Sequence, residues 1–399
     1  MIKYFNNKKI VIGVTGSIAA YKAVDLASQL KQRGAIVDVI MTETATKFIH
    51  PLSFQAITHR EVVVDLYDPS SEIGMDHLVL ANQADLFIVA PATANIVSKA
   101  ALGIADNALI STLLATEAPV LVCPAMDGDM FQKPQIKNNI EKLIEFGFHV
   151  LGPNEGRLAS GNIGKGRLVE IYEIQNMCRY IFGIKGDYRG KNIVVTSGGT
   201  KEHIDPVRYI SNNSSGKMGN FIAEAARDRG AFVQLVSSSL SAKSSAGIEL
   251  KKVKTADQML RAVELASTSA DVLIMAAAVS DWKPIDVSEQ KIKKDGQKEI
   301  SIQMTQSSDI LSTVLKPGLF KVGFAAETED IINNASEKLN SKGLDLIVAN
   351  DISDDSIGFE SDYNSVTIID KNGIAKQVDR SLKYEVANLI LDEVLNLYV

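Results

Sequence analysis

Short apolar runs alternate with helix-length segments along the whole chain. Residues 10–14 form the first apolar run, residues 18–33 carry apolar positions on one helical face and end at Gly34, and residues 37–41 are strand-like again. A short buried strand, a helix and a second strand in this order predict a right-handed β-α-β unit.

The same order begins a second time later in the chain, where a helix-like run at residues 221–229 separates two apolar runs. Further strand-length runs lie at residues 86–90, 120–123 and 149–151 in the first half and at residues 193–196, 232–236, 272–275, 322–324, 346–349 and 366–370 in the second. Buried strands separated by helices are typical of parallel sheets covered on both faces. The predicted fold class is α/β, with two Rossmann-like domains, each a mainly parallel sheet flanked by helices.

Length and a local change in composition predict a domain boundary near the middle of the chain. At 399 residues the chain is long for one hydrophobic core. From about Arg179 the sequence RYIFGIKGDYRGKN is rich in glycine and in charged residues. We therefore predict one domain at residues 1–188 and a second at residues 189–399.

Composition excludes several classes of protein. A net charge of −6 gives no electrostatic case for nucleic-acid binding. The apolar runs are too short to span a membrane, and the N-terminus lacks the features of a signal peptide. Cys123 and Cys178 form neither a disulfide framework nor a metal-ligand spacing. We expect a cytoplasmic globular protein that binds neither nucleic acid nor membranes.

A long polar segment, residues 196–219, lies between the strand and the helix of the second β-α-β start. Its sequence, TSGGTKEHIDPVRYISNNSSGKMG, combines glycines and serines with the cations Lys201, Arg208 and Lys217. Backbone and hydroxyl donors beside cations suit an anion. Since an ordinary connection has about two to six residues, we predict a functional loop that binds phosphate and carboxylate groups.

The first half has its own candidate site at the carboxyl ends of predicted strands, where α/β proteins bind ligands. Residues 13–18 follow a strand and open a helix, so that unpaired backbone donors and the helix dipole favour phosphate. Residues 91–95 and 124–130 follow two further strands. Residues 156–167 include four glycines and are typical of a mobile flap or a surface loop.

These motifs resemble those of two enzyme families. GVTGSIAAYK, His77 in MDHLVLA, APATANIVSKAALGIADN, PAMDGDM and residues 156–167 resemble the flavin-dependent cysteine decarboxylases. GGTKEHIDPVRYISNNSSGKMG resembles phosphopantothenate-cysteine ligase. In this order, over essentially the whole chain, they resemble the bacterial bifunctional phosphopantothenoylcysteine decarboxylase and phosphopantothenate-cysteine ligase family of coenzyme A biosynthesis.

The resemblance implies that the first domain is an FMN-dependent decarboxylase. The flavin would oxidise the thiol side of 4'-phosphopantothenoylcysteine, CO2 would leave from the resulting thioaldehyde, and the flavin would then reduce the enethiolate. By matching motif positions, His77 would be the catalytic histidine, Asp127 would meet the substrate carboxylate and Ser160 would stand at the proton-donor position. The residues expected along FMN are Gly16, Ser17, Thr42, Ala92, Thr93 and Asn95.

The chain departs from the family pattern at two of these positions. Asp127 replaces the usual Asn, and a carboxylate there repels the substrate carboxylate unless it is protonated or paired. Ser160 replaces the usual Cys, and a hydroxyl is a far poorer acid than a thiol. The domain uses another donor such as Cys123, stops at an oxidised enethiol product, or is impaired. We favour retained decarboxylation with rearranged proton delivery, because the flavin-contacting motifs are intact.

For the second domain the resemblance implies a ligase that uses CTP and Mg²⁺. An acyl-cytidylate would form with loss of pyrophosphate, and the cysteine amine would displace CMP. Arg208 and Asn212 match positions that handle the activated carboxylate, whereas no metal ligands are assigned. The expected CTP-binding residues are Ala277, Asp281, Lys291, Asp309, Ile310, Phe324, Lys338 and Lys342, and those for the substrate phosphate are Ser214, Ser215, Gly216 and Lys217.

The predicted overall reaction converts 4'-phosphopantothenate, cysteine and CTP to 4'-phosphopantetheine. Small-molecule substrates are the expected partners, within a homo-oligomer whose decarboxylase half is trimer-based and whose ligase half is dimeric. Two alternatives stay open. One is an active ligase with an impaired or oxidatively decarboxylating flavoprotein half. The other is a nicotinamide-dependent oxidoreductase built on the two β-α-β starts.

Overall fold

Two separate parallel sheets organise the chain. The computed structural model describes residues 2–66, 76–239, 242–293, 299–327, 330–351 and 361–398. Contacts divide the chain into two units, Met1–Ile181 and Phe182–Val399. In each unit the sheet core is parallel and helices connect its strands. The predicted α/β class is therefore confirmed.

The first unit contains a six-stranded sheet in the order β3-β2-β1-β4-β5-β6, in which every pairing is parallel. Its strands, with the separate β7-β8 hairpin, are β1 Lys9–Val14, β2 Ile36–Met41, β3 Val62–Val63, β4 Leu86–Ala92, β5 Val120–Pro124, β6 His149–Val150, β7 Asn154–Arg157 and β8 Ile163–Arg167. Its helices are α1 Ala20–Gln32, α2 Glu43–Thr46, α3 Leu52–Thr58, α4 Asp76–Gln83, α5 Ala94–Leu102, α6 Ala108–Ala115, α7 Gly128–Gln132, α8 Pro134–Glu145 and α9 Ile171–Gly183.

Helix α1 shows how the apolar pattern produces this unit. Its buried residues recur every three or four positions and form one stripe: Ala20, Ala23, Leu26, Ala27 and Leu30. Such a stripe covers one face of a sheet. The central strands β1, β4 and β5 are buried along nearly their whole length, as expected for strands covered on both faces.

The second unit contains an eight-stranded sheet in the order β13-β12-β9-β14-β17-β18-β19-β20. Its strands, with two small hairpins, are β9 Asn192–Ser197, β10 Lys201–His203, β11 Tyr209–Ser211, β12 Phe232–Ser237, β13 Ile248–Lys252, β14 Val272–Met275, β15 Trp282–Pro284, β16 Met304–Gln306, β17 Phe320–Glu327, β18 Leu346–Asp351, β19 Tyr363–Asp370 and β20 Gly373–Leu382. Its helices are α10 Lys217–Asp228, α11 Ala256–Ser267, α12 Ile310–Thr313, α13 Ile331–Ser341 and α14 Lys383–Tyr398. At one edge of the sheet β18 pairs antiparallel with β19, and β19 pairs antiparallel with β20. The other pairings of the sheet are parallel.

The polar segment at residues 196–219 is more ordered than the sequence predicted. It contains the antiparallel β10-β11 hairpin, which the sequence pattern did not predict. Helix α10 begins at Lys217, four residues before the predicted start at Phe221. Its first turn, residues 217–220, contains a single apolar side chain, Met218, so the regular apolar period begins only after the helix has started.

The part of the chain that the structure describes has no helix that is both long enough and apolar enough to cross a membrane.

Candidate active sites

Two adjoining cavities lie at the carboxyl ends of the central strands of the second unit. Cavity A has a volume of about 440 Å³, and nine predicted residues line it: Asn212, Ser214, Ser215, Gly216, Lys217, Ala277, Asp281, Phe324 and Lys338. Cavity B has a volume of about 350 Å³, and its predicted lining residues are Ala277, Asp281, Asp309, Ile310, Phe324, Lys338 and Lys342. Because they share four of these residues, the two cavities form one continuous site.

Close backbone packing holds the loop that lines cavity A. Gly216 has a φ of +78°, and a Cβ atom there would lie 2.8 Å from the Ser239 Cβ. Only glycine adopts such a conformation readily. The Ser239 hydroxyl donates to the main-chain oxygen of Ser215 at 2.8 Å, and the Asn212 amide donates to the oxygen of Val279 at 3.0 Å. The serines and Lys217 are thereby fixed at the start of α10, where backbone donors favour an anion.

Cavity B is lined by Lys338 of α13 and by Lys342, the C-cap residue of that helix. The Lys338 ammonium donates to the main-chain oxygen of Phe324 at 3.0 Å, and Lys342 lies 3.0 Å from the Asp309 carboxylate. Asp309 also caps α12 through the N–H groups of Leu311 and Ser312. Burial by itself would raise the pKa of Asp309, but Lys342 and the Ser312 hydrogen bonds hold that pKa below its usual value. Cavity B is thus suited to a polyphosphate beside an ionised carboxylate.

Arg208 and Lys291 lie near each other but outside the linings of both cavities. The Arg208 Nε lies 3.0 Å from the carboxylate of Asp205, which is fully buried. The same carboxylate accepts the N–H of Arg208 at 2.7 Å and that of Ile292 at 3.3 Å. Asp205 therefore connects the Arg208 turn to the segment that carries Lys291. Sequence reasoning missed Asp205, although its place before Pro206 is typical of a turn.

A third cavity, cavity C, lies in the first unit and has a volume of about 470 Å³. Ser17, Met126 and Asp127 line it together with residues of the β7-β8 hairpin. The hairpin packs directly on the segment after β5, because Gly166 accepts the Met126 N–H at 3.0 Å. A Cβ atom at Gly166 would lie 2.2 Å from the Met126 oxygen. Glycine is therefore required for this close approach.

Asp127 and Ser160, the two departures from the family pattern, interact with each other. Asp127 caps α7 and accepts the Asp129 N–H at 3.0 Å. The Ser160 hydroxyl, followed by that N–H, holds the pKa of Asp127 below its ordinary value. The carboxylate is therefore ionised near neutral pH. Ser160 itself is exposed in the turn between β7 and β8.

The residues predicted to contact a flavin surround the ends of β1 and β4. A Cβ atom at Gly16 would lie 2.7 Å from the Thr44 side chain, whose hydroxyl is 3.1 Å from that of Thr42. Buried Thr15 accepts the Thr93 N–H at 3.1 Å and donates to the Pro91 oxygen at 2.6 Å. Sequence reasoning did not single out Thr15, which joins the two strand ends.

The remaining predicted residues of this unit differ in exposure. Ala92 is fully buried and Asn95 is exposed. His77 lies at the start of α4, and its buried Nδ1 has no hydrogen-bond partner among the described residues. It is not among the described residues that line cavity C.

Cys123 is fully buried in β5, and burial raises the pKa of its thiol well above the usual range.

Comparison with known proteins defines the class of the chain first. Residues 3–182 match the family described as Flavoprotein, and residues 188–398 match the family described as DNA/pantothenate metabolism flavoprotein C-terminal domain. The chain is therefore a flavoprotein domain followed by this C-terminal domain.

Curated relatives match nearly the full length. The chain is 43% identical over 395 residues to the coenzyme A biosynthesis bifunctional protein CoaBC of Bacillus subtilis, covering 98% of this chain and 97% of the relative. It is 41% identical over 398 residues to the protein of that name from Escherichia coli K12, with the same coverages. The solved C-terminal domain of a CoaBC protein is 36% identical, covers 52% of this chain and 95% of that chain, and has a TM-score of 0.45. The chain belongs to the family of bifunctional coenzyme A biosynthesis proteins, CoaBC.

Proposed function

We propose that this protein joins 4'-phosphopantothenate to cysteine with CTP and then decarboxylates the product to 4'-phosphopantetheine. As a member of its family it is a bifunctional enzyme with decarboxylase and ligase activities. The observation that carries the finer assignment is the convergence of the predicted ligase residues on cavities A and B. We assign the decarboxylase to residues 1–188 and the ligase to residues 189–399.

In the proposed ligase reaction, cavity A receives 4'-phosphopantothenate and cavity B receives CTP. The serines at residues 214–215 and Lys217 would bind the substrate phosphate at the start of α10. Lys338 and Lys342 would bind the nucleotide phosphates, which would also carry Mg²⁺. The described residues contain no group of three or more His, Cys, Asp or Glu side chains arranged to hold a metal ion.

The Asn212 amide would donate to the oxygen of the activated carboxylate. A neutral amide supplies a hydrogen bond without repelling the developing negative charge, as a carboxylate would. Arg208 and Lys291 lie outside the cavities of their own chain. In the proposed dimer of the ligase half, these cations would reach the cavities of a second subunit.

For the decarboxylase, we propose an FMN site at the ends of β1 and β4, where Ser17 connects the predicted flavin residues to the lining of cavity C. Gly16, Ser17, Thr42, Ala92, Thr93 and Asn95 would hold it. When bound, FMN supplies the oxidation and the final reduction of the sulfur-bearing carbon. His77 would act on the substrate, from a neighbouring subunit in the proposed trimer-based arrangement.

Asp127 and Ser160 would act together in this site. Because Asp127 is ionised and accepts the Ser160 hydroxyl, it would fix the position of Ser160 in the turn beside cavity C. Cys123 lies in the sheet core with a raised pKa, so we do not assign it as the substitute proton donor. We propose that both reactions take place in the cytoplasm.

The test is a decarboxylation assay on the purified full chain. With 4'-phosphopantothenoylcysteine we expect a flavin spectrum, CO2 release and 4'-phosphopantetheine. Absence of CO2 would leave only the ligase, and a product two mass units lighter would show that the final reduction fails. Absence of a flavin spectrum would contradict the proposed FMN site of the first unit.

A further inference from the structure

Lys383 is a buried lysine at the wall of cavity A that the sequence analysis did not identify. Its surface is only 3% exposed, and it lines the cavity together with residues 214–217. Removing an ammonium group from water is unfavourable unless negative charge compensates it. A lysine in this position therefore favours a ligand that brings negative charge into the cavity.

Two helices begin at cavity A, and the first residue of each is a lysine that lines the cavity. Helix α10 begins at Lys217 and helix α14 begins at Lys383. The helix dipole places partial positive charge at this end, which disfavours a cation and favours an anion. Neither lysine is thus explained as a stabiliser of its own helix, whereas an anion in cavity A would interact favourably with both helices and both lysines.

Asp362 supplies part of the compensating charge. Its carboxylate lies 2.7 Å from the Lys217 ammonium, and its main-chain oxygen accepts the Lys383 N–H at 2.9 Å. The Asp362 side chain is 66% exposed. Burial first, and then the charge of Lys217, lower the pKa of Lys383 to about 8, although Asp362 opposes this shift. Lys217 and Lys383 are therefore close enough for their charges to interact at the wall of cavity A.

We propose that Lys383 binds the phosphate group of the ligase substrate, and that Lys383 and Lys217 together supply the positive charge for a phosphate dianion. The proposal rests on the proposed function, in which residues 214–217 receive the phosphate of 4'-phosphopantothenate. A phosphate monoester carries about −1.5 to −2 charges at pH 7. Loss of one hydrogen bond between charged groups weakens binding by about 10- to 100-fold.

The test compares Lys383→Met with the wild-type full chain in a pyrophosphate-release assay. We expect the KM for 4'-phosphopantothenate to rise about 10- to 100-fold, with kcat and the KM for CTP unchanged. Turnover of pantothenate, which lacks the phosphate, should not change. Lys383→Arg keeps the charge and should recover most of the affinity. Lys371→Met removes a lysine whose side chain is 62% exposed and is the matched control, expected to behave as wild type.

An unchanged KM for 4'-phosphopantothenate in Lys383→Met, or an equal loss with both substrates, would overturn the proposal. Unfolding followed by the fluorescence of Trp282, the single tryptophan of the chain, checks that the variant is folded. If the wild-type protein releases no pyrophosphate, the proposed function fails instead. Binding of inorganic phosphate to wild type and Lys383→Met then still tests Lys383, since equal binding would contradict its role.

Discussion

Gly219 lies at a close contact between helix α10 and strand β9, and Gly219→Ala tests how this contact positions the phosphate site. A Cβ atom at Gly219 would lie 2.4 Å from the Thr196 oxygen and 2.6 Å from the Ser197 Cβ. Both atoms belong to a strand in the interior of the sheet and cannot yield easily. The helix would have to move by about 1 Å to restore an ordinary contact of 3.4 Å.

Two effects of opposite sign decide the stability of this variant. Replacing glycine by alanine in a helix interior stabilises by about 1 kcal/mol. Overpacking a well-filled interface costs about 1 to 3 kcal/mol. Because the clash is with the main chain of β9, we expect the steric cost to dominate and the free energy of unfolding to fall by about 1 to 2 kcal/mol.

The functional effect should be larger than the effect on stability. Helix α10 carries Lys217, so a shift of about 1 Å misplaces the phosphate subsite and should lower ligase kcat/KM by about 100-fold. Urea unfolding followed by Trp282 fluorescence and the pyrophosphate-release assay measure the two effects. Gly164→Ala, where the nearest atom lies at 3.5 Å, adds the same methyl group in the first unit and should leave the ligase unchanged. A Gly219→Ala protein that is more stable than wild type, with normal ligase kinetics, would refute this reasoning.

Four further predictions concern single residues. Asn212→Asp should still form the acyl-cytidylate but slow its resolution by cysteine, and unchanged turnover in a quenched-flow assay would contradict the role of Asn212. His77→Asn should abolish CO2 release and leave pyrophosphate release intact; loss of both would show that the two halves depend on each other. Ser160→Cys should increase complete decarboxylation, measured by product mass, and no gain would mean that another group donates the proton. Since Lys383 has a pKa of about 8, the KM for 4'-phosphopantothenate should rise as the pH increases through about 8 and the lysine loses its charge. Lys383→Arg should remove this rise.

The sequence predicted helices and strands wherever apolar residues recur at a regular spacing. Residues 18–33 predicted α1, and the short apolar runs predicted the central strands of both sheets, because burial on one or both faces sets these periods. The β10-β11 hairpin and the first turn of α10 are short segments in which polar residues predominate. No apolar period marks them, so the sequence did not reveal them.

The candidate ligase site was predicted only as far as its motifs extend. Lys338 and Lys342 were expected to bind CTP, and the structure places both at cavity B. Lys383 and Asp205 were missed. Lys383 reaches cavity A because α14, the last helix, packs beside α10. Asp205 accepts a hydrogen bond from the N–H of Ile292, which is distant from it in the sequence. Such long-range contacts are set by tertiary packing and leave no local pattern.

The most direct test of the proposed bifunctional reaction is the product mass from the purified full chain supplied with 4'-phosphopantothenate, cysteine, CTP and Mg²⁺. We predict the mass of 4'-phosphopantetheine, together with equal amounts of pyrophosphate and CO2. Accumulation of 4'-phosphopantothenoylcysteine without CO2 would contradict a functional decarboxylase half, and absence of any condensed product would contradict the assignment of cavities A and B to the ligase.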